Sequence, residues 1–253
     1  MNGQLQDKSI IVTGAGKGIG RSAALTFAKE GASVALAGRT RSSLEETAEL
    51  IRGGGGKCVV ITADVAQDED CARLISETVA AFGGLYGAFN NAAIDGERKR
   101  LADYTPAEFE DIIATNLRGT WNCMRHEILW MQDHGGGVIL NVSSATTQPA
   151  EAYMGLYVSS KYGIHGLTTT AALEYAEAGI RVNVLVPGAI GTPMMDEVLD
   201  SQPGMREAVV GRIPLKRLGL AQEMADAAVW LLSERNGYMT GSSVTIDGGY
   251  VLV

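Results

Sequence analysis

Short runs of β-branched and apolar residues recur along almost the whole chain, and longer stretches with helical periodicity separate them. The runs are SIIVT at 9–13, SVALA at 33–37, CVVIT at 58–62, GAFN at 87–90, GVILNV at 137–142, IRVNVLV at 180–186 and SVTI at 243–246. Strands alternating with helices make repeated βαβ units. Continuous rather than alternating apolar runs fit a parallel sheet whose two faces are both covered by helices. The fold class expected is therefore α/β, a Rossmann-type doubly wound parallel sheet flanked by helices on both faces. With 253 residues, 46% of them hydrophobic, the chain can bury one good-sized core, and residues 1–253 read as a single dinucleotide-binding domain.

The helices carry start and stop signals. Leu74, Ile75, Thr78, Val79 and Phe82 recur at helical spacing before Gly83-Gly84. Thr105-Pro106-Ala107-Glu108 is a capping box with proline in the first turn, which predicts one long helix reaching about Gln132. Another is predicted over roughly 157–178, stopping at Gly179. The four glycines at 53–56 read as a loose turn at the end of the sheet away from any ligand. The segment 191–219, with Pro193, Pro203, Gly204 and Pro214, reads as an irregular insertion of the kind that covers a substrate.

Net charge is −8, and lysine and arginine are scattered, so nucleic acid is not an expected partner. The amino-terminal residues MNGQLQDKSI have no cationic stretch followed by an apolar one, and no long uninterrupted apolar window follows. A soluble, cytoplasmic protein without a membrane partner is expected. Cys58, Cys71 and Cys123 are odd in number and widely spaced, which suits reduced thiols better than a disulfide framework. His126, His134 and His165 have no metal-ligand spacing, and no metal is expected.

Directly after the first strand stands Thr13-Gly14-Ala15-Gly16-Lys17-Gly18-Ile19-Gly20, followed by a helix. Glycines there allow a tight turn, let backbone N–H groups approach a pyrophosphate, and aim a helix N-terminus at its charge. The second strand ends Ala37-Gly38-Arg39-Thr40 with no carboxylate to hold ribose hydroxyls. Arg39 and Lys17 together suit a 2′-phosphate, hence NADP(H) in preference to NAD(H).

Tyr157 and Lys161 stand four residues apart in a helical segment, so they share a face one turn apart. A neighbouring ammonium favours phenolate, which is expected to lower the tyrosine pKa and fit it for proton exchange with an alcohol or carbonyl. Ser144, just past GVILNV, falls at a carboxyl edge of the sheet, where its hydroxyl can donate to a substrate oxygen. Residues 94–97, 146–153 and 193–214 are the expected substrate walls. Within them Glu97 and Glu151 either meet a polar or cationic substrate or are simply solvated. Met154, Leu156, Met194 and Met195 either face an apolar substrate or pack in the core.

Taken together, TGAGKGIG at 13–20, Asp64-Val65, NNAA at 90–93, Asn116, NVSS at 141–144, YVSSK at 157–161, PGAIGT at 187–192 and IDGG at 246–249 resemble the short-chain dehydrogenase/reductase family, in order and over nearly the whole chain. The resemblance is to its compact single-domain members. It implies a seven-stranded parallel sheet and a catalytic group of Ser144, Tyr157 and Lys161, with Asn116 holding a water that links the lysine to a proton relay. It implies that Gly14, Gly18, Ile19 and Gly20 form the pyrophosphate turn, that Asp64 and Val65 contact adenine, and that Asn91 and Ala92 line the adenosine ribose. Pro187, Gly188, Ile190 and Thr192 match the nicotinamide-side loop, and Lys17 and Arg39 the 2′-phosphate positions. Homotetramers are common in the family, with helices 105–132 and 157–178 at the subunit contacts. Ala93 departs from the usual glycine. The function expected is NADP(H)-preferring interconversion of a ketone or aldehyde and an alcohol. Two rivals use the same fold: an epimerase or dehydratase that retains its nicotinamide, and a non-catalytic nucleotide-binding protein.

Overall fold

The computed structural model describes residues 3–200 and 202–253. Met1 and Asn2 of the amino-terminal reading, and Ser201 of the 191–219 segment, lie outside the described residues. In chain order the elements are β1 (Ser9–Thr13), α1 (Gly18–Lys29), β2 (Ser33–Gly38), α2 (Arg41–Gly53), β3 (Lys57–Thr62), α3 (Asp68–Phe82), β4 (Gly87–Asn90), α4 (Pro106–Ile113), α5 (Gly119–Asp133), β5 (Gly137–Val142), α6 (Gly155–Glu174) and β6 (Ile180–Pro187). They continue as β7 (Ile190–Gly191), α7 (Pro193–Leu199), α8 (Met205–Arg212), β8 (Gly219–Leu220), α9 (Ala221–Leu232) and β9 (Ser243–Ile246).

Seven strands form one parallel sheet in the order β3-β2-β1-β4-β5-β6-β9, and β7 and β8 form a separate short pair. Side chains along each strand alternate between two apolar layers, as the period of two requires. Ile10, Val12, Val34 and Leu36 pack on one face with Phe27, Ala225 and Leu232 of α1 and α9. Ile11, Ala35, Ala37 and Ile139 pack on the other with Leu74, Ile128 and Ala171 of α3, α5 and α6. The expectation of strands buried on both faces holds in the middle of the sheet but not at its ends. β9, the last strand on its side of the sheet, alternates between exposed and half-buried residues.

Two further expectations are corrected. The helix that opens at the Thr105 capping box is not uniform. α4 passes into a π-helical turn, Ala114–Arg118, before continuing as α5. The segment 191–219 is not irregular, since α7 and α8 occupy much of it. α7 repeats the start signal of α4: Thr192 caps it by accepting from the Met195 N–H at 3.3 Å, and Pro193 follows in the first turn. Helix α6 begins two residues earlier than expected and gives way to turns before Gly179. The four glycines at 53–56 do form an outward turn, mostly exposed.

One polar line crosses the second apolar layer. The Asn90 Nδ2 donates to Glu127 Oε2 at 3.0 Å and to Asn141 Oδ1 at 3.1 Å, and Asn141 Nδ2 donates to Thr168 Oγ1 at 2.9 Å. All four residues are buried. Glu127 Oε1 and Asn90 Oδ1 have no hydrogen-bond partner among the described residues. Burial pushes the Glu127 carboxyl up to about 8.

Candidate active site

Going outward from β1, the chain adds β2 and β3 on one side and then crosses to add β4 on the other. A cleft therefore opens beyond the carboxyl ends of β1 and β4. A cavity of about 740 Å³ fills it, in the range of a small-molecule site.

At one end the cavity meets the turn between β1 and α1. Gly14 has φ +68°, and a Cβ there would sit 2.8 Å from Asn91 Nδ2. Thr13, which sequence reasoning passed over, ties this turn to the end of β4. Its hydroxyl oxygen accepts from the Asn91 and Ala92 N–H groups at 3.0 and 3.1 Å, and its carbonyl accepts from Asn91 Nδ2 at 3.0 Å. No side chain caps α1, and its first turn holds no acidic residue. Its free N–H groups thus stand beside a cavity wall made by Gly14, Gly16, Lys17 and Gly18. Lys17 and Arg39 line the same end. Both are exposed, and neither side chain has a hydrogen bond or ion pair among the described residues. The turn and the uncapped helix end fit a dinucleotide phosphate chain.

Further in, Ser144, Tyr157 and Lys161 share the cavity wall with Ala92, Pro187, Gly188, Ile190 and Thr192. α6 is locked to the end of β5 by Ser143, whose hydroxyl donates to the Lys161 carbonyl at 3.0 Å. The Lys161 Nζ donates to the Val142 carbonyl at 3.0 Å and lies 5.7 Å from the centre of the Tyr157 ring. The expectation that the ammonium lowers the phenol pKa is corrected. Burial pushes Tyr157 up to about 12, with the Asp95 carboxylate adding to it and the Ser144 hydroxyl pulling the other way. Burial also pushes Lys161 down to about 8. Loss of water is the largest influence on both groups.

Four of the predicted residues do not reach the cavity wall. Gly20 packs α1 against the turn, where a Cβ would meet the Gly14 carbonyl oxygen at 2.2 Å. Asp64 Oδ1 accepts from the Ala66 N–H at 3.0 Å, so the carboxylate shapes its own turn. Val65 is buried against Cys71 and Cys123. Asn116 is buried in the π-helical turn. Its Oδ1 accepts from the Ile94 N–H at 2.9 Å, and its Nδ2 donates to the Ile94 carbonyl at 2.9 Å and to Ser160 Oγ at 3.1 Å. Its side chain thereby clamps the 94–99 segment to α6.

The far end of the cavity draws on the three expected substrate walls, to which Arg98 and Tyr250 are added. Met154, Met194 and Met195 line it as one of their two readings had it, whereas Leu156 is in the core. Glu97 is exposed and pairs with Lys99 at 2.9 Å, but Glu151 lines the cavity. Glu151 is held by Arg212 Nη1 at 2.8 Å and by the Tyr250 hydroxyl at 2.5 Å. Tyr250 arrives through the IDGG turn, where Asp247 accepts from the Gly249 and Val251 N–H groups at 2.9 and 2.8 Å. Asp95 and Arg98 complete this end. The histidines lie elsewhere, His134 stacking on Trp130 at 3.5 Å. The three cysteines are free, although the fold brings the Sγ atoms of Cys71 and Cys123 to 3.7 Å, which their separation in sequence did not suggest.

A phosphate-ready helix end leading into a serine, tyrosine and lysine wall defines a dinucleotide-dependent class of protein. Comparison with known proteins makes the class specific. A family profile described as enoyl-(acyl carrier protein) reductase matches residues 14–251. The chain is 40% identical over 250 residues to a 2,5-dichloro-2,5-cyclohexadiene-1,4-diol dehydrogenase of Sphingobium indicum, covering 98% of this chain and 99% of that protein. It is 34% identical to a cyclohexanol dehydrogenase of an Acinetobacter species, covering 99% and 97%. Among solved structures, levodione reductase superposes with a TM-score of 0.94 at 32% identity, covering 98% of this chain and 99% of that one. The chain belongs to the short-chain dehydrogenase/reductase family. It is an NAD(P)-dependent oxidoreductase of the alcohol dehydrogenase and carbonyl reductase kind.

Proposed function

We propose that the protein interconverts a secondary alcohol and its ketone on a small, largely apolar ring, with NADP(H) preferred over NAD(H). The observation that carries the reading is a single cavity walled by the uncapped end of α1 and by Ser144, Tyr157 and Lys161. A bound nicotinamide would supply or accept the hydride. Ser144 and Tyr157 hold the substrate oxygen between two hydroxyls, and Tyr157 gives it a proton as hydride arrives at carbon. A phenol held near 12 is fully protonated at neutral pH, the form required for that donation. Lys161 puts positive charge beside the phenolate that forms and orients the nicotinamide ribose. Gly14, Gly18, Ile19 and Gly20 shape the pyrophosphate turn; Asn91 and Ala92 flank the adenosine ribose; Pro187, Gly188, Ile190 and Thr192 bound the nicotinamide. Asn116 contributes by fixing α6 and the substrate loop together.

Preference for NADP(H) is supported by Lys17 and Arg39, two cations without anionic partners at the end of the cavity where β2 offers no carboxylate. A ring substrate is supported by the methionines at the far end and by the ring compounds named in two relatives. Among the described residues no helix is long and apolar enough to cross a membrane. Free thiols accord with a cytoplasmic setting. Exposed Trp121 and Leu129 on α5, with Tyr162 and Leu173 on α6, support a homo-oligomer joined through these helices.

The test is reduced-nicotinamide consumption with a panel of cyclic ketones, diketones and keto-esters, using both cofactors. Tyr157→Phe should lower turnover by about 10²–10⁴-fold while NADPH affinity stays within a few-fold. A Tyr157→Phe enzyme with near-normal turnover removes the assignment.

A further inference from the structure

At the substrate end of the cavity one carboxylate has both oxygens free of hydrogen bonds among the described residues. Asp95 is half-buried and lines the cavity that holds Ser144, Tyr157 and Lys161. Among the described residues it accepts no hydrogen bond and joins no ion pair, unlike Glu151 across the cavity, which is held by Arg212 and Tyr250. Withdrawing a carboxylate from bulk water without giving it a partner is unfavourable, so its free oxygens call for a donor brought by the substrate.

The loop that carries it is held firmly. Immediately before Asp95, Ile94 is gripped on both backbone groups by Asn116, at 2.9 Å each. Immediately after it, Gly96 takes φ +78°, and a Cβ there would lie 2.5 Å from Ile112. The Tyr104 hydroxyl donates to the Glu97 carbonyl at 2.8 Å, and the Lys99 N–H donates to the Tyr153 carbonyl at 3.0 Å. Four hydrogen bonds, two at Ile94 and one each at Glu97 and Lys99, thus hold the segment around Asp95 in place before a substrate arrives.

The surrounding charges select the kind of donor. Arg98 and Lys161 act on Asp95 from one sign and Glu197 from the other. A cationic group on the substrate would be repelled by the two cations already beside the carboxylate. An anionic group would be repelled by Asp95 itself and could not donate to it, Glu151 being already paired with Arg212. A neutral donor, an alcohol hydroxyl, suffers neither penalty.

We infer that Asp95 is a specificity-determining residue that accepts a hydrogen bond from a second hydroxyl of the substrate, so that the enzyme's class of substrate is a ring diol or hydroxyketone and not a simple monoalcohol. This rests on the hydride-transfer reading above.

The test compares kcat/KM for cyclohexanol with that for cyclohexane-1,2-, 1,3- and 1,4-diol, in the full-length enzyme with NADP⁺. The best diol should exceed cyclohexanol by at least about tenfold, and Asp95→Ala should reduce that ratio by about 10–100-fold, the range for a hydrogen bond to a charged group. Asp95→Asn, which keeps one acceptor oxygen, should retain part of the ratio. Calorimetric binding of the best diol to Tyr157→Phe enzyme loaded with NADP⁺ should weaken by a similar factor when Asp95→Ala is added, a readout independent of turnover. Equal kcat/KM for all four compounds, or a ratio that survives Asp95→Ala, overturns the inference and leaves the parent reading standing. Absence of nicotinamide turnover with every alcohol and ketone tried overturns both.

Discussion

Replacing Glu127 by glutamine should make the protein progressively more stable than the wild type as pH rises from 6 to 8. Glu127 is fully buried, its Oε1 has no partner, and burial lifts its carboxyl from an ordinary 4.5 to about 8. Between those two values the folded protein holds a proton that the unfolded chain has released. The unfolded state then binds fewer protons than the native one, and stability falls by up to about 1.4 kcal/mol per pH unit. Over pH 6 to 8, with the titration at 8 half complete, the loss attributable to this one group comes to about 2 kcal/mol. Glutamine has the same shape, cannot ionise, and can still receive the Asn90 amide, so its variant lacks this part of the pH dependence. The measurement is urea unfolding of both proteins by circular dichroism at pH 6, 7 and 8. Protomer concentration must be held constant, because an oligomer's stability depends on it. Other titrating groups cancel in the difference between the two proteins. A gap that stays the same across the three pH values, or that closes as pH rises, would show that Glu127 is not a neutral acid held in the core.

Alanine at Lys17 or Arg39 should weaken NADPH binding about tenfold or more while altering NADH binding little, since only the former brings the extra phosphate; fluorescence titration with both cofactors decides it. Equal losses for both cofactors would assign these side chains to the pyrophosphate or to neither. Glutamate at both Trp121 and Leu129, which are exposed on α5, should shift the mass measured by light scattering toward that of one chain. An unchanged mass would move any subunit contact away from this helix.

The central strands were legible almost to the residue because a parallel sheet between helices needs unbroken apolar runs, and those stand out against the polar turns between them. The end of β1 and the turn after it were equally legible, since the glycines at 14, 16, 18 and 20 follow a strand directly and precede a helix. What escaped detection was of three physical kinds. The π-helical turn adds one residue to a helix without altering its hydrophobic pattern enough to notice. Helices α7 and α8 are too short for periodicity to speak, so Pro193 and Pro203 outweighed the Thr192-Pro193 start signal, which was readable by the same rule applied at Thr105-Pro106. Tyr250 reaches the cavity from a distant part of the chain to meet Glu151 and Arg212 of the expected substrate walls, and no local pattern announces that convergence. The direction of the Tyr157 shift was misjudged for a related reason. Sequence shows that a lysine lies one turn away, but not that both groups are out of water and that the ammonium hydrogen-bonds the Val142 carbonyl.

The π-helical turn at Ala114–Arg118 lets one continuous rod serve two registers. Before it, α4 packs on the substrate side of the molecule; after it, α5 lies against the sheet. Deleting a single residue there would let the rod close up as ordinary α-helix with α4 and α5 still facing as they do, because the wide turn is what absorbs the extra residue. The bulge that carries Asn116 would go with it, and so would its grip on both backbone groups of Ile94. The extra residue thus serves the placement of one side chain, which a map of helices and loops would not suggest.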